Sequence, residues 1–67
     1  MTEYTVCFDF PESPDPWFAG KVGGAFGLVA HMDDAIRFES EDAADRLLTN
    51  GYGDGTRPYG TVVEIGA

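Results

Sequence analysis

Side chains able to do chemistry are few in this chain, and most of them are acids. Twelve of 67 residues are Asp or Glu, four are Lys or Arg, and there is one histidine and one cysteine. His31 precedes Asp33 and Asp34 in an H-x-D-D run. Zinc needs three or four converging protein ligands, so this run alone is not a metal centre and His31 reads as a surface side chain. A metal-dependent catalyst on His31, Asp33 and Asp34 is carried only as a third reading. One histidine and one cysteine without a spacing signature make no Ser-His-Asp or Cys-His pair. Asp54 does not open a calcium loop, because Pro58 and Ile65 stand where that pattern needs oxygen ligands. The glycines at 20, 23, 24 and 27, and at 51, 53 and 55, lack the Lys-Ser/Thr of a phosphate loop. Turn and loop duty accounts for them. The expectation is a protein that is not an enzyme and holds neither metal nor cofactor.

The acids carry the signal. From Asp33 to Asp45 run six carboxylates, Asp33, Asp34, Glu39, Glu41, Asp42 and Asp45, against one base, Arg37. Local roles explain some of them. Glu41 and Asp42 at a helix N-terminus contribute roughly 0.3–1 kcal/mol each, Asp42 has Arg46 at i,i+4, and Asp33 or Asp34 suits a turn. Glu39 and Asp45 have no such role. Glu41 and Asp45, about 6 Å apart, repel by roughly 0.7 kcal/mol in unscreened water. Small domains have little stability to spare, so tolerated repulsion points to use, and the six are the candidate partner-binding residues. A halophilic or GC-rich background fits the composition as well.

A formal net charge of −8 and a pI near 4.1 set the class of partner. DNA, RNA and anionic lipid are bound through Lys and Arg, so direct contact with them is not expected. Basic surfaces are attracted instead. Duplex DNA presents one phosphate charge per ~1.7 Å of axis. Carboxylates at comparable density meet the same Arg rows with charge-assisted, often bidentate bonds. The aromatics do not reverse this: a base-stacking platform needs a basic groove, and core packing is the better use for Tyr4, Phe8, Phe10, Phe18 and Phe26. Trp17, behind three prolines, is the one placed to meet a partner. It carries the alternative reading, a small accessory or antitoxin-like module binding through aromatic surface.

These residues need elements to position them. From Glu3 to Phe10 the alternation is strict, with Tyr4, Val6, Phe8 and Phe10 on one side and Glu3, Thr5, Cys7 and Asp9 on the other, which predicts a half-buried strand. Pro11, Pro14 and Pro16 stiffen the following loop. Trp17 to Val22 reads as a strand, although Asp15-Pro16 also resembles a helix start. Gly23-Gly24 supplies the positive φ values of a two-residue hairpin turn. Phe26, Leu28, Ala30 and Met32 alternate along the next strand. Asp33-Asp34 marks a turn, and Phe38 anchors an extended segment beyond it. Ser40 is a favoured N-cap. Ala43, Ala44, Leu47 and Leu48 make the apolar stripe of a helix of about two to three turns, with Gly51 as its left-handed stop. A loose glycine loop leads to a last strand, Thr61 to Ile65, in which Thr61, Val63 and Ile65 share a face.

The expected architecture is α+β. A small antiparallel sheet of three to four strands carries one helix on one face, in ββαβ order, with the other face toward solvent. The whole chain, 1–67, forms one domain. A lone Cys7 excludes an internal disulfide and favours a reducing compartment. No signal peptide or membrane span is read. With 43% hydrophobic residues, disorder is not expected despite the charge.

Gly23, Gly24, Phe26, Gly27, Leu28 and Val29, followed by Asp34, Ala35, Arg37, Phe38, Glu39, Ser40, Glu41 and Ala43, resemble small proteins of phages and mobile elements. In these a hairpin, a turn, an Ala-x-Arg-Phe segment and a short helix follow one another. With its size and acidity, the chain is similar to type I anti-CRISPR proteins, in particular type I-C inhibitors that block target-DNA binding. That resemblance implies a partner, the large Cascade subunit that reads the PAM, and a place of action, the host bacterial cytoplasm. It carries no site residue across.

Overall fold

Val6 and Phe8, two residues apart on the first strand, are completely buried, and the other elements are laid against them. A computed structural model describes residues 2–66. Strands β1 (Tyr4–Phe8), β2 (Trp17–Val22) and β3 (Ala25–Val29) precede helix α1 (Glu41–Gly51), and β4 (Gly60–Glu64) follows it. The sheet order is β3-β2-β1-β4, with every neighbouring pair antiparallel. The fold is therefore α+β, with three strands before the helix. In chain order α1 falls between the two edge strands, β3 and β4, and it covers one face of the sheet.

The helix packs for the reasons its sequence gives. Ala44, Leu47 and Leu48 are buried and meet Val6, Phe8 and Ala19 in one apolar cluster. Ser40 caps it in extended conformation, its hydroxyl accepting from the Ala43 N–H at 3.2 Å. Its C-terminus differs from expectation. Positive φ among the described glycines occurs at Gly23, Gly24 and Gly66, so Gly51 is not a left-handed stop. It lies inside the last turn, where a Cβ would stand 2.7 Å from Leu47 Cδ1. Gly23 (φ 61°) and Gly24 (φ 86°) make the primed hairpin turn that joins β2 to β3.

Two expectations, on the end of β3 and on the glycine loop, are corrected. β3 ends at Val29, so Ala30 and Met32 leave the predicted alternation, and Met32 enters a 3-10 turn, Met32–Asp34. The glycine loop is not wholly loose: it tightens into a second 3-10 turn, Arg57–Tyr59, with Pro58 inside. On β4 the residue packed toward the helix is Val62, and Val63 lies opposite Thr5 in the register. Gly60 sits against Phe8, where an added Cβ would come within 2.8 Å of the ring and overlap Leu48.

The face away from the helix is not simply solvated. Thr5 has no exposed surface and Phe18, opposite Cys7 in the register, is 8% exposed. The reason lies in a splay between two strands. β1 and β2 pair only at Cys7–Phe18 and Phe8–Trp17, then diverge, and the segment from Ile36 to Phe38 fills the opening. The Ile36 N–H donates to the Ala19 carbonyl at 2.9 Å. Tyr4 and Phe38 exchange two backbone bonds, at 2.9 and 2.8 Å. The Thr5 hydroxyl donates to the Ile36 carbonyl at 2.7 Å. A residue read as polar and outward is thus the tie that holds the inserted segment.

Three substitutions test this packing. Gly60→Ala is expected to cost roughly 1–3 kcal/mol through overpacking. Thr5→Val, which leaves the part-buried Ile36 carbonyl without this donor, costs roughly 1 kcal/mol or more, while Thr5→Ser retains most of the stability. Urea midpoints at unchanged m-value read all three.

Candidate functional site

The N-terminal end of α1 gathers most of the acid. Capping by Ser40 fixes the first turn and so directs Glu41 and Asp42. At 100° per residue, Asp45 lies one turn beyond Glu41 on the same side. Because Ala44, Leu47 and Leu48 face the sheet, these three acids face outward, and all are exposed. Glu39, one residue before the cap, lines an open cleft of about 680 Å³ with Thr2, Glu3 and Tyr4.

Strand register adds an acid that spacing along the chain did not reveal. Tyr4 stands opposite Phe38 on one side and opposite Glu64 on the other. Directly opposed residues in antiparallel strands are about 5 Å apart. Exposed Glu64 therefore shares the sheet end from which Glu39 departs. Glu3 belongs to this end too, but it is engaged with Arg37 at 3.5 Å. Neither residue could be found from sequence, since their neighbours come from elements about 30 or more positions away.

Asp33 and Asp34 are placed elsewhere. They form the exposed 3-10 turn after β3, closed by the Asp34 N–H donating to the His31 carbonyl at 3.0 Å. A Cβ on Gly20 would lie 3.3 Å from the Asp34 carbonyl. Gly20 follows core residue Ala19 on β2, so it points away from the helix. The six candidate acids thus divide in two, with Glu39, Glu41, Asp42 and Asp45 at the helix end and Asp33 and Asp34 across the sheet.

None of the six forms a salt bridge among the described residues. Among the described residues two salt bridges form, Arg37–Glu3 at 3.5 Å and Arg57–Asp54 at 3.1 Å. The expected Asp42–Arg46 pair is not closed. On an exposed helix surface such a pair is worth only about 0.3–0.5 kcal/mol, little against the entropy of fixing an arginine.

The other candidate groups are occupied structurally. Trp17 is half-buried against the core, and its indole N–H donates to Ser13 Oγ at 3.1 Å. Ser13 in turn donates to the Asp15 carbonyl at 2.8 Å, so the ring pins the proline loop. The exposed large apolar side chains are Val22, Phe26, Met32 and Tyr59. Among the described residues no three of His, Cys, Asp and Glu converge as metal ligands, and no helix is long and apolar enough to cross a membrane.

Comparison of the chain with protein-family models, curated proteins and solved structures finds no match in any of the three. The reading of the site therefore stands on its own geometry.

Burial shifts two groups among the described residues. Burial, and to a lesser degree the charge on Asp9, pushes the Cys7 thiol above its ordinary 9.0. Burial likewise raises the Tyr52 phenol above 10.0, partly offset by a backbone hydrogen bond from Gly20, while the hydroxyl donates to the Gly27 carbonyl at 2.8 Å. Both groups are acids with raised folded-state values. The unfolded chain releases these protons first as pH rises, so the stability they carry is complete below the ordinary values and is lost through the raised ones. Urea midpoints should fall from about pH 9 upward, less steeply in Cys7→Ser. At pH 8 the folded thiol should alkylate more slowly than the same thiol in urea.

Proposed function

We propose that this protein is a non-enzymatic inhibitor that presents the N-terminal end of α1 to a basic nucleic-acid-binding surface and occupies it in place of nucleic acid. One observation carries the reading: Glu39, Glu41, Asp42 and Asp45 are exposed at one end of the molecule and none forms a salt bridge among the described residues. Glu64 extends the same end.

Carboxylates left without intramolecular partners keep their full attraction for an incoming arginine. Their mutual repulsion is relieved when a cationic surface closes over them. At a net charge of −8 the field also steers encounter with basic partners, raising the on-rate more than the residence time. The helix geometry suits a groove shaped for duplex DNA: with a rise of 1.5 Å per residue, Glu41 and Asp45 lie about 6 Å apart along the axis. Each meets an arginine fork that would otherwise take a phosphate.

Resemblance to type I anti-CRISPR proteins supplies the specific partner in this proposal, the PAM-reading large subunit of a Cascade complex in the bacterial cytoplasm. A bacterial extract or purified Cascade provides the assay, with target DNA as competitor.

The division of the acids gives the test an internal control. Glu39→Lys with Asp45→Lys, and Asp33→Lys with Asp34→Lys, change the formal net charge of −8 equally, by two units per replacement. The first pair should abolish binding and the second should weaken it only a few-fold. Wild-type binding should also fall steeply between low and high salt. Equal losses in the two double variants, or binding indifferent to salt, would overturn the proposal.

A further inference from the structure

At the end of β1 opposite the acidic helix end, a ladder of aromatic rings leads from the core to the surface. Phe8 stacks on Phe10 with centroids 6.1 Å apart and planes 7° from parallel. Phe10 then meets Tyr59 at 5.3 Å, tilted by 56°. The ladder opens into a cleft of about 270 Å³ lined by Phe10, Pro11, Glu12, Gly55 and Tyr59. Pockets for drug-sized molecules run from about 300 to 1,000 Å³, so this one is sized for a single side chain.

The cleft is held open by local structure. Phe10 and Ser13 close a tight turn, the Ser13 N–H donating to the Phe10 carbonyl at 3.1 Å. Pro11 and Glu12 form the corners of that turn, and Glu12 is exposed. The Asp9 N–H donates to the Tyr59 carbonyl at 3.0 Å, tying the turn to the 3-10 segment that carries Tyr59. Tyr59 nevertheless remains 40% exposed. The cation nearest in sequence is engaged elsewhere, since Arg57 pairs with Asp54 at 3.1 Å and donates to the Tyr52 carbonyl at 3.3 Å.

Electron-rich ring faces beside a carboxylate favour a cation. We infer that this cleft is a subsite for one arginine side chain of the partner, with its guanidinium against Tyr59 and Phe10 and its N–H groups directed to Glu12. Arginine fits better than lysine because its planar head stacks on a ring while bonding a carboxylate. A neutral apolar side chain would leave the rim charge uncompensated. The inference deepens the function proposed above, which requires a basic partner, and adds a second contact beyond the far end of β1, a strand roughly 13 Å long.

The probe is Nα-acetyl-arginine methylamide, titrated into the ¹⁵N-labelled full chain, with the citrulline and norleucine analogues as neutral controls. Saturable amide shifts centred on Glu12, Gly55 and Tyr59 are expected, with a Kd on the order of 1–10 mM. Glu12→Gln should weaken the arginine response about tenfold, and Tyr59→Leu, which keeps apolar bulk, should do so comparably. Retained dispersion of the remaining resonances shows that each variant is folded. Equal response to citrulline, shifts confined to Glu39–Asp45, or an unaltered Glu12→Gln titration would overturn the subsite. Failure here leaves the helix-end proposal intact if its charge-reversed variant still loses the partner. Arginine seated in the cleft of a protein whose partner ignores that reversal shows the opposite failure.

Discussion

The two backbone hydrogen bonds between Tyr4 and Phe38 are the constraint on which the arrangement of this molecule depends. They seat the segment from Ile36 to Phe38 in the opening between β1 and β2. Two residues later Ser40 starts the helix, so the position of the acidic first turn is set by a sheet contact. Thr5 supports the insertion by donating to the part-buried Ile36 carbonyl. One small hydroxyl therefore adds to the backbone bonds that hold the passage from hairpin to helix.

Electrostatics and packing are kept apart in this chain. Six buried apolar residues from β1, β2 and α1 make the core, and the buried threonine has its hydrogen bond. The acids lie outside, where water screens their repulsion. That separation lets a small domain carry a net charge of −8 without placing a charge in its core. It also leaves the helix-end carboxylates available to something outside the molecule, since the arginines that form salt bridges pair with Glu3 and Asp54.

The two ends of β1 differ in chemistry. One gathers carboxylates around Tyr4, and the other ends in the Phe10–Tyr59 cleft with Glu12 at its rim. In the proposed function both would receive cations, one through a field of charge and the other through a shaped contact. A field raises encounter rates but discriminates poorly, whereas a pocket for one planar side chain fixes register.

Local chemistry by itself determined much of this protein. The β1 alternation, the Gly23-Gly24 turn, the Ser40 cap and the Ala/Leu stripe each depend on neighbours within about four positions, and each could be read directly. So could the acidity, a formal net charge of −8. The tertiary structure alone decided where β1 and β2 part, that Thr5 faces a carbonyl rather than water, and that Gly51 and Gly60 serve close approach. It also decided that Asp33 and Asp34 leave the other four acids while Glu64 joins them. These outcomes depend on strand register and on which segment fills a gap. Contacts of that kind join residues 31 positions apart, as Thr5 and Ile36 are, and no periodicity along the chain encodes them.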